Sequence, residues 1–302
     1  MRLLSKILVL TVVSSFLLLT GCGSQGTEGG GWIIDAKTVS SYLAKENVVI
    51  IDMQKSGDYA EGHIKGAVNI TRNDIVINTP VENMLAPKEV IEEVMGKNGI
   101  SDATTVLVYD NNNNMDAARL WWTMLVYGHE NVNVVSGGLK ALRSAGLDLT
   151  TEKASISPAQ FTAKEANTAL IATKDEVLAQ LNDPDDKVIL LDTRTEQEYN
   201  EGTIPGSVLY DYANNNFNDG TFKTPQIIKI DYIEIKITSD RTVIMYCKTS
   251  VRAAQTYLAL YNAGYRNLKL YDGAWLEWSS DESLPVQKPS GNKVESGSKD
   301  NS

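Results

Sequence analysis

Cys247 follows the run Thr242-Val243-Ile244-Met245-Tyr246, whose β-branched and aromatic residues read as a buried strand. The sulfur therefore stands at a strand's carboxyl end, the edge along which open α/β sheets bind ligands. Lys248-Thr249-Ser250-Val251-Arg252 come next, then Ala253-Ala254-Gln255-Thr256-Tyr257-Leu258, a helical pattern with Ala254, Leu258 and Tyr261 on one face. The loop thus ends at a helix N-terminus, where unpaired N–H groups and the positive end of the dipole converge. Such a place stabilises a thiolate, and Lys248 and Arg252 add cationic charge close in sequence. The N–H groups of residues 248–252 would form a nest around an anion. On residue types alone, Cys247 is either a nucleophile or a small hydrophobe packed at a strand end.

The unit that would position this thiol occurs twice. Residues 48–53 (VVIIDM) and 59–68 (YAEGHIKGAV) parallel residues 188–193 (VILLDT) and 199–208 (YNEGTIPGSV) at a constant offset of 140. Gly128 and Asn131 match Gly264 and Asn267 at an offset of 136. In each copy, short apolar runs (48–52, 105–110 and 133–135; 188–192, 242–247 and 268–271) alternate with helical stretches such as 87–97 and 253–263. Continuous apolar strands separated by helices indicate α/β domains, each a parallel sheet flanked by helices on both faces. Residues 227–237 are β-prone by composition, yet their counterpart 89–96 is helical in pattern, which predicts a helix here as well. Aligning the strands places Asp110 at the cysteine position, offset 137, before a loop one residue longer that puts Asp116 where Arg252 stands. Aspartate offers no thiol nucleophile, and a second carboxylate repels an anionic substrate, so the first copy is expected to be silent. His63 and His129 read as structural or surface residues rather than catalysts.

Composition narrows the field. The 302 residues carry 28 Lys+Arg against 38 Asp+Glu, a formal charge of −10, with two cysteines and two histidines. That count cannot supply a disulfide framework or an ordinary structural zinc site, and the acidic balance without a basic cluster argues against nucleic acid. No metal or cofactor is called for. The N-terminus reads as a basic n-region with Arg2 and Lys6, a 13-residue apolar run (7–19), and then Thr20-Gly21-Cys22. This is a signal peptide pattern, too short to span a bilayer comfortably. Leu19-Thr20-Gly21-Cys22 resembles the bacterial lipoprotein box, which implies cleavage before Cys22 and lipid attachment to it. The expected protein is a monomer held to the cell membrane or envelope outside the cytoplasm, and losing Arg2 and Lys6 takes its charge from −10 to −12. Boundaries follow: 1–21 signal, 22–31 flexible tether, 32–149 first domain, 150–167 linker, 168–286 second domain, 287–302 disordered tail.

Residues 33–286 resemble the rhodanese (sulfurtransferase) family, in particular its tandem-domain members. Tyr59-Ala60-Glu61-Gly62-His63-Ile64-Lys65-Gly66-Ala67 is similar to the family's first signature, with Lys65 in place of the usual proline. Tyr271-Asp272-Gly273-Ala274-Trp275-Leu276-Glu277-Trp278 is similar to its C-terminal signature, and residues 247–252 to its active-site loop. The resemblance implies two-step sulfur transfer: Cys247 takes sulfane sulfur from a donor such as thiosulfate as a persulfide, and a thiol or cyanide acceptor removes it. It also implies that Lys248, Thr249, Ser250, Val251 and Arg252 cradle the substrate and that Arg194 helps to bind it. Lys248 would draw in a doubly charged donor, and Arg252 would brace the loop or meet the donor's oxyanion. Related phosphatases place five residues between cysteine and arginine; four intervene here, a tighter loop that suits sulfur. The loop CKTSVR matches neither the mercaptopyruvate form nor the thiosulfate specialists' form and most resembles bacterial tandem members ending in arginine. 3-Mercaptopyruvate transfer and a non-catalytic binding module remain the competing readings.

Overall fold

The computed structural model describes residues 31–289, so Cys22, the tether through Gly30 and the tail from residue 290 lie outside the described residues. Each half of the chain builds a five-stranded, all-parallel sheet flanked by helices. In the first the order is Ile33–Ile34, Val132–Val135, Thr105–Tyr109, Val48–Asp52, Val68–Asn69. The second repeats it with Ile171–Ala172, Leu268–Tyr271, Thr242–Tyr246, Val188–Asp192, Val208–Leu209. Register is preserved as well: Val48 pairs with Thr105 as Val188 pairs with Thr242. The central strands are buried on both faces, which is why they read as unbroken apolar runs.

Residues 225–234 form the helix that the internal repeat indicated against their β-prone composition. Pro225 occupies the first turn and the Thr224 hydroxyl accepts from the Ile227 N–H, so local capping outweighs the isoleucine content. Ile230 and Ile233 remain more than half exposed on its outer face. The stretch between the domains is a strap rather than a free connection. Leu149–Thr150 pairs antiparallel with His63–Ile64, and Phe161 and Ala163 bury into the first domain. Ala159 donates to the carbonyl of Gly96, where a Cβ would lie 2.8 Å from the Ala159 oxygen, an approach only glycine permits. At the other end Gln287, read as tail, exchanges backbone hydrogen bonds with Thr203 at 2.8 and 2.9 Å.

The domains meet through the helices that follow the two matching loops, Met115–Val126 and Val251–Asn262. Both are buried almost all round, as a helix enclosed between two domains must be. Trp121 lies against Tyr257 and Tyr261, with ring centroids 6.2 and 5.4 Å apart. One hydrophobic core runs from Ile51 and Val108 through Trp121 and Tyr257 to Met245 and Leu270, so the two sheets share an interior.

Candidate active site

Cys247 sits one residue beyond the strand Thr242–Tyr246, 1 % exposed, with its carbonyl accepting from the Trp275 N–H at 3.0 Å. The Lys248 carbonyl likewise accepts from Leu276 at 3.2 Å. Ser250 closes the turn in the left-handed region at φ 65°, and its Oγ lies 2.9 and 2.6 Å from the carbonyls of Tyr271 and Asp272, to which its proton donates. The carbonyls of Cys247 and Lys248 are thus taken by the N–H groups of Trp275 and Leu276. The N–H groups of residues 248–253 meet no acceptor among the described residues. Six such donors beside a thiol at a helix N-terminus make an anion-binding concavity.

The first domain shows what this loop shape holds. Asp110 occupies the cysteine position, and its carboxylate fills the nest: Oδ1 accepts from Asn112 and Asn114 N–H at 2.8 and 3.0 Å, and Oδ2 from Ala117 at 3.0 Å. Burial, with the Asp116 carboxylate next, pushes Asp110 up to about 6. Asp116 itself, at the place of Arg252, is paired with Arg72.

The cations anticipated around Cys247 divide. Arg252 is half-buried and donates both Nη groups to the Glu198 carboxylate at 2.6 and 2.8 Å. That bond holds Glu198 down at about 2, against its own burial. Burial works against the Arg252 charge, but Glu198 and the neighbouring Cys247 raise its pKa further. Lys248 is exposed and pairs with no acid among the described residues. Thr249 is half-exposed, and Val251 is buried as the first residue of the helix. Arg194, which the resemblance implies as a substrate contact, is engaged within its own domain. It is 2 % exposed and donates from Nε and Nη2 to Asp192, at 2.9 and 2.6 Å, and from Nη2 to the Gly202 carbonyl at 2.6 Å. Its guanidinium also lies 4.4 Å from the Trp275 ring, so it supports the loop's scaffold instead of facing solvent. Asp192 is fully buried in the sheet and needs a paired cation, which decides where Arg194 points.

Sequence reasoning did not single out Glu198, although Thr195-x-x-Glu198 is a visible capping box and the structure forms it. It placed the histidines correctly: His63 is fully buried between the carbonyls of Tyr59 and Glu152, and His129 is buried near Phe161.

A strand-end thiol, a tight loop of free N–H donors and a following helix define a class of cysteine-loop α/β domains. Both halves of the chain match the rhodanese-like domain, over residues 35–145 and 173–281, and the chain belongs to that family as a tandem pair. A protein of Mycolicibacterium smegmatis named "Putative thiosulfate sulfurtransferase" is 28 % identical over 274 residues, covering 84 % of this chain and 97 % of its own. The sulfur carrier protein TtuD of Thermus thermophilus is 30 % identical over 248 residues, covering 76 % and 87 %. Among solved structures, the anaerobic ergothioneine biosynthesis enzyme of Chlorobium limicola superposes with a TM-score of 0.77 at 20 % identity, over 86 % of this chain and 71 % of that one. At that identity the likeness is one of fold.

Proposed function

We propose that this chain is a sulfurtransferase that carries sulfane sulfur as a persulfide on Cys247, with thiosulfate as donor. The Cys247 thiolate attacks the outer sulfur of thiosulfate; a new S–S bond forms, the old one breaks, and sulfite leaves with the electron pair. A thiolate acceptor then attacks the outer sulfur of the persulfide, leaves as a persulfide itself and returns Cys247 as thiolate; cyanide leaves as thiocyanate. The observation that carries this reading is the row of N–H groups at residues 248–253 that meet no acceptor among the described residues, set against the matching loop of the first domain, where the Asp110 carboxylate takes three N–H groups. A loop that holds an internal anion in one copy is suited to hold a diffusible one in the other, where a thiol replaces the carboxylate. Charge developing on the terminal sulfur would be met by these fixed dipoles without reorganisation. The relatives' names support the donor class. Anchorage at the cell envelope through Cys22 belongs to the same proposal and rests on the N-terminal pattern.

The test is incubation of the purified protein with thiosulfate, intact-mass measurement for one added sulfur on Cys247, and thiocyanate release with cyanide. Cys247→Ser is expected to lose both. Wild type indistinguishable from that variant would leave the chain a binding module.

A further inference from the structure

We propose that Arg119 and Asp272 are positioning residues, through which the silent domain holds the catalytic loop in its anion-binding shape. The proposal rests on the reading of Cys247 as the sulfur-carrying thiol and names what the other domain does for it. Asp272 is 4 % exposed and belongs to the second domain, but its side chain is held by the first. Oδ2 accepts from the Leu85 N–H at 2.7 Å, and Oδ1 lies 2.8 Å from Nη2 of Arg119. Arg119 is fully buried on the interdomain helix Met115–Val126; the same Nη2 donates to the Asn83 carbonyl at 2.8 Å, and the guanidinium lies 4.7 Å from the Trp122 ring. The backbone of Asp272 meanwhile serves the catalytic loop, since its carbonyl is one of the two that accept from Ser250 Oγ. Three residues on, the Trp275 N–H holds the Cys247 carbonyl. Residues 272–275 therefore grip the loop at both ends, and the silent domain fixes where that grip lies.

The internal repeat supplies the comparison that separates a positioning role from mere packing. At the offset of 136, Gln255 stands at the place of Arg119 and Ser136 at the place of Asp272. There the reciprocal contact is neutral: the Phe222 N–H donates to Ser136 Oγ at 2.8 Å. The fold closes this corner without charge on the side whose loop holds its own carboxylate. It uses a buried ion pair on the side whose loop must hold an anion from solution. Charge in an interior is costly unless paired and is better explained by specificity of geometry than by net stabilisation.

The experiment uses the full chain with Arg119→Gln, Asp272→Ser and the double variant, which places the residues of the symmetric corner here and leaves no lone buried charge. Two rates are read on Cys247: sulfur loading from thiosulfate, an anion, and alkylation by iodoacetamide, which is neutral. A positioning role predicts that the ratio of loading to alkylation falls about ten-fold or more in folded variants, with partial recovery in Arg119→Lys. A cooperatively melting double variant whose ratio stays within about two-fold of wild type overturns the proposal. So does a double variant that cannot fold, since the pair would then be a folding device. Wild type that alkylates but never loads sulfur is the separate failure of the sulfurtransferase reading.

Discussion

The pairing of Arg252 with Glu198 decides what the loop arginine can do. Its bidentate pair of bonds is spent on a carboxylate that is itself fixed by the Thr195 capping box, so the guanidinium is set in one place beside the loop. Lysine cannot reproduce the fork, and Arg252→Lys should loosen the contact with Glu198. The pair also leaves a pH signature. The folded value of Glu198 is about 2 against an ordinary 4.5, so its contribution is complete above 4.5 and is lost as pH falls through about 2. Glu198→Gln keeps one acceptor oxygen for the cap and removes the charge together with one of the two acceptors that Arg252 uses. Urea unfolding near neutral pH is expected to show a loss of about 1 kcal/mol, as for a half-exposed pair, and that loss should shrink steadily below 4.5. A loss unchanged down to the acid limit would mean that the carboxylate charge is not what the pair contributes. Arg194 teaches the opposite lesson: the sequence shows an arginine after a strand, but only burial of Asp192 reveals that its Nε and Nη2 are taken.

At the scale of elements, two copies of one strand–loop–helix unit have diverged at the loop while keeping the strand register and the helix. The first copy stores a carboxylate where the other keeps a thiol, and the cost of that burial is measurable. Asp110 titrates near 6 in the fold, above its ordinary 3.8, so the native state binds this proton more tightly than the unfolded chain does. Wild type should therefore gain stability relative to Asp110→Asn as pH falls from about 6 to about 4, and lose that gain as pH rises through 6. Denaturant midpoints of the two proteins across that window check it; parallel curves would place the Asp110 proton outside the fold's energetics. How much of this was legible depends on element length. Strands of four or five residues buried on both faces announce themselves as apolar runs. The two-residue edge strands Ile33–Ile34, Ile171–Ala172 and Val208–Leu209 carry too few residues for any period to show. The helix Pro225–Glu234 was recovered only through its repeat partner, because isoleucines at helical and strand spacing look alike over ten residues. The strap through Phe161 could not be foreseen, since one buried aromatic in a polar stretch has no pattern.

For the whole molecule the question is how an anionic protein receives an anionic donor. The chain carries a formal charge of −10, and two of the three cations anticipated near Cys247 are neutralised by Glu198 and Asp192. On the proposed function, what would meet the donor is Lys248 and a set of backbone N–H dipoles. These two kinds of attraction differ in range. Dipoles act only on contact, whereas the net charge acts over roughly a Debye length, about 10 Å at 0.1 M salt. Approach of a dianion should therefore be opposed by the surface and favoured only near the loop. Added neutral salt screens the long-range repulsion first, so the rate of sulfur loading from thiosulfate is expected to rise with ionic strength, the reverse of a steered encounter. Lys248→Ala removes an exposed cation of the loop, and it should lower loading several-fold at low salt and steepen the rise. Stopped-flow loading rates measured over a range of sodium chloride concentrations decide this. A rate that falls with salt in wild type and is insensitive to Lys248 would place a positive field elsewhere on the approach, and the N–H row would no longer suffice as the donor's binding site.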